Sequence, residues 1–429
     1  MSKLAINGGR PLWAAGWPAW PTATESTRQK TLECLESGRW AISGPKAEGP
    51  GSEAAFAREF ADFLGARHCV PTTNGTSALV TALEALDVGA GDEVIVPGIT
   101  WVASASTAMA VNALPVIVDV DPRTLCLDPA AVEAAITPRT KALSIVHLYN
   151  SVCDLDALTE LCRRYGLGLI EDCAQAHGAR WRGRAVGLWG DVGTFSMQQT
   201  KLLTAGEGGV AVTDDDDLYR RMYQLRSDGR SRVADPRVGE MELSLTGEVM
   251  GSNYCMPELT AAVLSGQLLE LPAQNKMRAE NAATLDASLR EIPGVAPVEA
   301  LEGVTERTHY YYVFRIDPEA FAGFDASVVS AALRAETGAP FQTTYPPLPG
   351  HPLLRPDSKR RYGAIPGIER LTQTSVPAAE DAYRCCVTLH HPALLADPAQ
   401  MAVLAEAVAK VAQNAGELAQ VSGDMENPL

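Results

Sequence analysis

Between residues 53 and 215 the chain alternates short apolar, β-rich runs with segments of helical periodicity, and this alternation restricts the possible folds more than any other feature. Such a succession is typical of a mostly parallel β-sheet flanked by helices. Asp154, which precedes one of the helical segments, is a good helix N-cap. We therefore predict an α/β fold whose large domain contains a mostly parallel seven-stranded sheet. The predicted strands are 68–73, 93–97, 114–120, 141–148, 167–172, 192–197 and 209–213, and the predicted helices are 76–87, 102–112, 128–136 and 154–165.

After about residue 265 the alternation gives way to long helical stretches rich in Ala, Leu and Glu. Strand-like runs such as Tyr310–Ile316 interrupt them, which indicates a second, smaller α/β domain. The Pro/Gly-rich stretches 7–21 and 340–356 are predicted to be loops, and long loops inside compact domains are usually functional. The long helices are predicted at 260–290, 326–336 and 398–418.

The length of 429 residues is appropriate for two or three domains. We place the boundaries where the sequence pattern changes. The predicted division is an N-terminal arm and helix at 1–52, a large domain at 53–265 and a small C-terminal domain at 266–429.

Composition and charge exclude several classes of protein. The hydrophobic fraction of 46% with 21% charged residues is typical of a globular enzyme. No apolar run reaches the roughly 18 residues of a membrane span, and the net charge of −16 argues against nucleic acid as a partner. The N-terminus lacks the continuous apolar stretch of an export signal, and the nine cysteines form no CxxC pair. We therefore expect a cytoplasmic protein with reduced cysteines, no metal centre and no membrane partner.

Lys201 lies in the segment FSMQQTKLLTAGEGG (195–209), between a predicted strand and a Gly-containing turn. A lysine amine can form an imine with an aldehyde cofactor, although a lysine in a loop is more often simply solvated. Asp172 ends the apolar run GLGLIED, and a carboxylate at the carboxyl end of a parallel strand faces the crevice where such sheets bind ligands. Paired with a pyridine nitrogen, this carboxylate would make the ring an electron sink. The alternative is that Asp172 caps the next turn.

The segment PTTNGTSAL (71–79) contains a second candidate binding element. Asn74-Gly75 is expected to form a tight turn, and Thr76 and Ser77 to open a helix whose free N–H groups bind an anion. An acidic protein could hold a cofactor phosphate in this way, although the same residues form an ordinary N-cap. Trp101 follows a predicted strand and could lie flat against a planar ring, with packing against other side chains as the alternative.

Taken together, these segments resemble the DegT family of sugar and cyclitol aminotransferases, which are fold-type I enzymes that use pyridoxal 5′-phosphate. The resemblance covers nearly the whole chain, and the matching segments occur in the family's order. They are SGRWAISGP (37–45), TNGTSAL (73–79), GDEVIVPGITWVAS (91–104), VDVDPRTLCLD (118–128), IEDCAQAHGA (170–179), FSMQQTKLLTAGEGG (195–209) and GSNYCMPE (251–258).

The resemblance implies a role for each matched residue. Lys201 is similar to the lysine that forms the Schiff base with the cofactor, and Asp172 to the partner of its pyridine nitrogen. Asn253 is similar to a residue that reaches across a dimer interface to the phosphate of the partner's cofactor, which implies a homodimer. The other implied cofactor contacts are Gln175 and Trp101 at the ring, and Gly75, Thr76, Ser77 and Ser196 at the phosphate.

Two departures from the family pattern bear on the substrate. The motif Tyr-Arg-Met is here Tyr254-Cys255-Met256, and a Gly common after the HLY motif is replaced in His147-Leu148-Tyr149-Asn150-Ser151. A missing cation argues against a nucleotide-sugar substrate, whose diphosphate requires positive charge.

The segments FSMQQTKLLTAGEGG, HLYNSVCDLDAL (147–158), YPPLPGHPLLRP (345–356) and the pair His390-His391 are most similar to glutamine-dependent aminotransferases of aminocyclitol antibiotic pathways. That resemblance implies L-glutamine as donor and a keto-cyclitol, scyllo-inosose or 2-deoxy-scyllo-inosose, as acceptor. The alternatives are a keto-sugar aminotransferase, a synthase of the 3-amino-5-hydroxybenzoate type and a non-catalytic regulatory homologue. A dehydratase on the same scaffold would replace the lysine, whereas Lys201 is present.

Overall fold

The structure, a computed structural model, describes residues 3–420 and is built around a seven-stranded sheet. We label its strands β1–β7, and their order across the sheet is β1-β7-β6-β5-β4-β2-β3. Strand β7 runs antiparallel to both of its neighbours, and the other neighbouring strands run parallel. The predicted seven-stranded, mostly parallel sheet is therefore confirmed. The strands are β1 (His68–Thr72), β2 (Glu93–Pro97), β3 (Leu114–Val118), β4 (Thr140–Val146), β5 (Gly168–Asp172), β6 (Val192–Ser196) and β7 (Gly209–Thr213).

Twelve α-helices lie within residues 3–420. The four helices predicted before residue 166 are present, and Asp154 caps one of them by accepting the Ala157 N–H at 3.0 Å. The helices are α1 (Glu25–Glu36), α2 (Ser52–Leu64), α3 (Gly75–Ala85), α4 (Ala103–Ala110), α5 (Pro129–Ala135), α6 (Leu155–Tyr165), α7 (Asp216–Leu225), α8 (Glu258–Leu268), α9 (Leu271–Leu289), α10 (Ala326–Thr337), α11 (Pro377–Cys385) and α12 (Pro398–Gln413). None of them is long and apolar enough to cross a membrane.

A second, four-stranded antiparallel sheet packs with α9, α10 and α12 around a separate hydrophobic core. Its strands are β8 (Val295–Pro297), β9 (Tyr311–Ile316), β10 (Phe341–Thr343) and β11 (Cys386–His390), in the order β8-β9-β11-β10. Leu4, near the N-terminus, is buried in this second core. Short strands outside the two sheets are Arg180–Trp181, Arg184–Ala185, Ser231–Arg232, Leu243–Ser244 and Val304–Glu306.

Three expectations about the C-terminal half are wrong in detail. The single helix predicted at 260–290 is two helices. Pro272 lies in the first turn of α9, and because proline has no backbone N–H group, α8 cannot run through this position without a break. The helix predicted at 398–418 ends at Gln413 and is followed by a 3-10 turn. The predicted loop 340–356 contains strand β10, which pairs with β11 and buries Phe341.

The sheet topology places several predicted residues at one edge. Asp172 ends β5 and Ser196 ends β6, while Trp101 and His147 follow β2 and β4. These four strands run parallel, so their carboxyl ends meet at the same edge. Open α/β sheets bind ligands in the crevice at that edge.

Candidate active site

Asp172 and Lys201 are brought together at the carboxyl edge of the large sheet. Both side chains are buried, with 8% and 9% of their surface exposed. Asp172 Oδ1 accepts the Ala174 N–H at 3.0 Å. Burial raises the pKa of Asp172, while the Ala174 N–H and the nearby charges of Lys201 and His147 act in the opposite direction. Asp172 is thus a buried carboxylate whose charge is only partly compensated by the protein.

The Lys201 amine lies against an aromatic ring. Its Nζ atom is 4.2 Å from the centroid of the Tyr310 ring, and its backbone N–H donates to the Gln198 carbonyl at 2.9 Å. Within residues 3–420 the amine has no salt-bridge partner, although Asp172 is close enough for its pKa to respond to the Lys201 charge. A buried amine without an acidic partner is available for covalent chemistry.

The start of α3 forms a small cradle against the end of β6. A Cβ atom added to Gly75 would lie 2.7 Å from the Ser196 Cβ and 3.2 Å from its Oγ, so the two residues are in direct contact. Asn74 caps the helix by accepting the Ser77 N–H at 2.8 Å and the Ser77 hydroxyl at 2.9 Å. The N–H groups of Gly75 and Thr76 have no partner in the described part of the chain. These groups can receive an anion.

Gly209, for which the sequence predicted no role, lies directly against the residues that form this cradle. A Cβ atom at this position would lie 2.3 Å from the Asn74 carbonyl carbon and 2.7 Å from the Gly75 nitrogen. Strand β7 can pass this close to the start of α3 only because residue 209 has no side chain. The signal was the Gly208-Gly209 pair at the start of a predicted strand.

Trp101 and Gln175 border a group of aromatic side chains. Trp101 is 44% exposed, and its ring centroid is 5.9 Å from that of Tyr345 and 6.2 Å from that of His351. Gln175 is buried, and its Oε1 accepts the Tyr149 N–H at 2.7 Å. The Tyr149 hydroxyl in turn accepts the Tyr345 N–H at 2.6 Å. Gln175 therefore positions Tyr149, which in turn binds the backbone of Tyr345 beside Trp101.

Glu171 was missed by sequence reasoning, although a charged residue inside an apolar run was a usable signal. It is fully buried and accepts backbone N–H groups from Gly187, Trp189 and Gly190 at 2.6–2.8 Å. His147 Nε2 lies 3.1 Å from Glu171 Oε2, and His147 Nδ1 accepts the Cys153 N–H at 3.2 Å. These bonds hold His147 beside Asp172.

Asn253 is exposed, and no hydrogen bond within residues 3–420 links it to Lys201 or Asp172. Its Oδ1 accepts the Cys255 N–H at 3.3 Å. Cys255, the departure from the family pattern, donates its thiol to the Arg226 carbonyl at 3.4 Å. Arg226 is fully buried and paired with Glu53 at 2.6 Å, so it does not replace the missing cation.

A mostly parallel seven-stranded sheet, with a carboxylate at the end of β5 and a lysine after β6, agrees with the fold that the sequence predicted. The solved structure of 3-amino-5-hydroxybenzoic acid synthase matches with a TM-score of 0.78 and 33% identity, over 93% of this chain and 99% of that one. The model of the DegT/DnrJ/EryC1/StrS aminotransferase family matches residues 21–408. The chain belongs to this family, as the sequence predicted.

Two curated relatives cover almost the whole chain. The L-glutamine:2-deoxy-scyllo-inosose aminotransferase of Micromonospora echinospora is 51% identical over 97% of this chain and 100% of its own length. The L-glutamine:scyllo-inosose aminotransferase of Streptomyces griseus is 47% identical over 98% of this chain and 100% of its own length.

Proposed function

We propose that the protein transfers the amino group of L-glutamine to a keto-cyclitol, 2-deoxy-scyllo-inosose or scyllo-inosose, in the biosynthesis of an aminocyclitol antibiotic. The observation that carries this proposal is the buried pair Asp172 and Lys201, present in a chain 51% identical to a relative named for that reaction. The 3-amino-5-hydroxybenzoic acid synthase is more distant, at 33% identity.

The residues of the site fit pyridoxal 5′-phosphate, which when bound supplies an electron sink for charge at the donor's α-carbon. Asp172 would hold the proton of the pyridine nitrogen, and a cation at that place would offset the cost of burying the carboxylate. Lys201 would bind the aldehyde carbon. The cradle that a Cβ on Gly75 would fill suits the phosphate. The cofactor contacts we propose are Gly75, Thr76, Ser77 and Ser196 at the phosphate, and Trp101 and Gln175 at the ring.

Lys201 is the residue we propose to move the proton. Once the donor's amino group has displaced it, the Lys201 amine would be free to take the proton from the donor's α-carbon and to deliver it to the former aldehyde carbon of the cofactor, which the transferred nitrogen separates from the α-carbon. A positioned general base of this kind accelerates a reaction by about 10²–10⁴-fold. Burial of Lys201 against the Tyr310 ring keeps the amine close to the reacting atoms and away from bulk water.

The lining of the crevice supports an uncharged polyol as acceptor. The Tyr345 ring packs against both Trp101 and Tyr149, and the Tyr310 ring lies against the Lys201 amine. Tyrosine hydroxyls near the site can donate to and accept from the ring hydroxyls of a cyclitol. At position 255 a thiol replaces the arginine of the family motif, and Arg226 is already neutralised by Glu53. Both facts favour a cyclitol over a nucleotide sugar.

We further propose that the protein is a homodimer in which Asn253 contacts the phosphate of the partner's cofactor. Asn253 is exposed in the isolated chain, and the preceding segment carries Leu245 and Met250 with 92% and 96% of their surface exposed. Exposed apolar side chains of this kind mark interaction surfaces. A second copy of the chain covering this segment would bury them.

We also infer a cytoplasmic location and the domain division 1–52, 53–265 and 266–429. All nine cysteines are free and eight of them are buried, which suits a reducing compartment. The second hydrophobic core supports a separate C-terminal unit, since nearly all of its members follow residue 281.

An amination assay tests the proposed reaction. Purified protein with pyridoxal 5′-phosphate and L-glutamine is offered 2-deoxy-scyllo-inosose, scyllo-inosose, a nucleotide-linked keto-sugar and aminodehydroquinate in separate reactions. We expect an amine product from the two keto-cyclitols only, none with Lys201→Ala, and full activity with the control Lys141→Ala, which removes an exposed lysine. Amination of the keto-sugar alone, or release of an aminohydroxybenzoate, would overturn the proposal.

A further inference from the structure

We infer that His390 and His391 are positioning residues for Lys201, which they orient by jointly holding the carbonyl group of Thr200. The inference rests on the proposed function, because it assumes that the direction of the Lys201 side chain matters for the reaction. It concerns two side chains that come from the second sheet, at the end of β11 and just after it.

Two imidazoles converge on one carbonyl oxygen. His390 Nε2 lies 3.1 Å and His391 Nε2 lies 3.0 Å from the oxygen of Thr200. A carbonyl oxygen has two lone pairs and can accept both bonds. Since Thr200 directly precedes Lys201, these bonds fix the plane of the peptide from which the Lys201 side chain projects.

Both histidines must carry their proton on Nε2 to donate in this way. Burial lowers the pKa of His390 to about 4 and that of His391 well below its ordinary value, and the nearby charges of Arg278 and Lys201 act in the same direction. Both rings are therefore neutral at neutral pH, with Nδ1 unprotonated. Two neutral donors satisfy the carbonyl without placing an additional positive charge beside the Lys201 amine.

The rest of Thr200 is held just as firmly. Its hydroxyl lies 2.8 Å from the Tyr310 hydroxyl, and both its hydroxyl and its N–H donate to Gln198 Oε1, at 2.8 and 2.9 Å. Tyr310 also provides the ring under the Lys201 amine. The carbonyl, the N–H and the side chain of Thr200 are thus all hydrogen-bonded, which restrains the peptide that leads into Lys201.

His391 is itself fixed by its surroundings. Its backbone N–H donates to the Tyr310 carbonyl at 3.2 Å, and the Trp20 ring packs edge-on against its imidazole at 4.7 Å between centroids. His390 pairs in register with Tyr311 across β9 and β11. The second sheet is therefore a rigid support for the loop that carries Lys201.

Paired variants test this role. His391→Leu and His390→Leu remove the donor, whereas His391→Gln and His390→Gln keep an N–H near the position of Nε2. Thr388→Val is the matched control, because it removes a different buried donor from the same strand, one that contacts the carbonyls of Gln342 and Thr343 instead of Thr200. Each variant is measured for kcat, for KM of glutamine, for thermal unfolding, and for the acylation rate of Lys201 in the cofactor-free protein by mass spectrometry.

We expect His391→Leu to lower kcat roughly tenfold to a hundredfold with little change in KM, because a reacting group displaced by a fraction of an ångström loses its alignment. Acylation of Lys201 should become roughly fivefold faster, as expected when a net hydrogen bond that restrains it is lost. His391→Gln should recover most of both effects, and Thr388→Val should change stability alone. His390→Leu should have the same effects, which keeps the test decisive if His391→Leu does not fold.

Leucine variants with wild-type kcat and wild-type Lys201 acylation would overturn the inference. So would effects no larger than those of Thr388→Val at equal loss of stability, or glutamine variants as impaired as the leucine variants. Failure of the proposed function gives a different result, since the wild-type protein would then aminate neither keto-cyclitol, whereas failure of the inference alone leaves that wild-type activity intact.

Discussion

The buried charge of Asp172, which the proposed function requires, lowers the stability of the folded protein. Burial raises its pKa in the folded protein above the value in the unfolded chain. The folded state therefore binds a proton more tightly than the unfolded state, and the free energy of unfolding falls as pH rises through the interval above the unfolded pKa. Carboxylates in such places are retained for function at a cost in stability.

The variant Asp172→Asn should make the cofactor-free protein more stable at pH 8 than the wild type. The asparagine has no charge to bury, and the difference should shrink as the pH is lowered into the range in which the wild-type carboxyl binds its proton. Thermal unfolding of both proteins without cofactor across this pH range checks the sign. The same variant should bind pyridoxal 5′-phosphate but lower kcat. Equal or lower stability of the variant at pH 8 would show that Asp172 is paired better than its surroundings indicate.

Sequence patterns predicted the residues that carry chemistry better than the residues that hold them. Asp172 was identified because it ends a predicted strand, and Lys201 because it follows one. Glu171 was missed because its partners are backbone N–H groups of a loop 16 to 19 residues away. Thr200 was missed because the histidines that bind it come from 190 and 191 residues further along the chain.

At the level of elements, the packing of β7 under α3 makes the shape of the anion cradle depend on Gly209. In Gly209→Ala the new Cβ would overlap the Asn74 carbonyl carbon, and the start of α3 would have to move. We expect a stability loss of about 1–3 kcal/mol, measured by denaturant unfolding, and weaker binding of pyridoxal 5′-phosphate.

The control for this prediction is Gly363→Ala, at a position where a Cβ atom would meet nothing within 4 Å. It should leave both stability and cofactor affinity unchanged. If Gly209→Ala bound pyridoxal 5′-phosphate as tightly as this control, the cradle at Gly75 would not be the phosphate site.

The elements of the large sheet could be predicted because each strand is a short apolar run between turns, a pattern that needs no knowledge of the partners. Strand β10 could not, because a three-residue strand after a proline is stabilised by pairing with β11. The break between α8 and α9 was hidden because Pro272 is tolerated in the first turn of a helix.

At the level of the whole molecule, the proposed shared site predicts complementation between two defective chains. In mixed dimers of Lys201→Ala and Asn253→Ala, one site would carry both defects and the other neither. After full subunit exchange an equal mixture should recover roughly a quarter of wild-type activity. The Asn253 parent should lose roughly tenfold to a hundredfold, the worth of a hydrogen bond to a charged group.

The matched control is a mixture of Lys201→Ala with Asp172→Asn. These two residues act in one site of the same chain, so every site of a mixed dimer would retain a defect and activity should not rise above the parental average. If the Asn253 mixture exchanges subunits and also shows no gain, Asn253 serves its own chain.

The domain division at 52 and 265 stays a prediction. The two hydrophobic cores agree with two units, but some residues of each predicted unit pack in the core of the other. Leu4 packs in the second core, whereas Tyr311 and Val313 of β9 belong to the first. Which core a residue joins depends on tertiary packing, and a change in the pattern of helices and strands along the sequence does not predict it.

The most direct test of the central claim is where the cofactor attaches and whether glutamine removes it. The protein is loaded with pyridoxal 5′-phosphate, reduced with borohydride, digested and mapped by mass spectrometry, with and without prior incubation with L-glutamine. We predict a pyridoxyl group on Lys201 alone, and its loss after glutamine, because transfer of the amino group frees the lysine. Labelling of a different lysine, or labelling of Lys201 that glutamine does not change, would contradict the account.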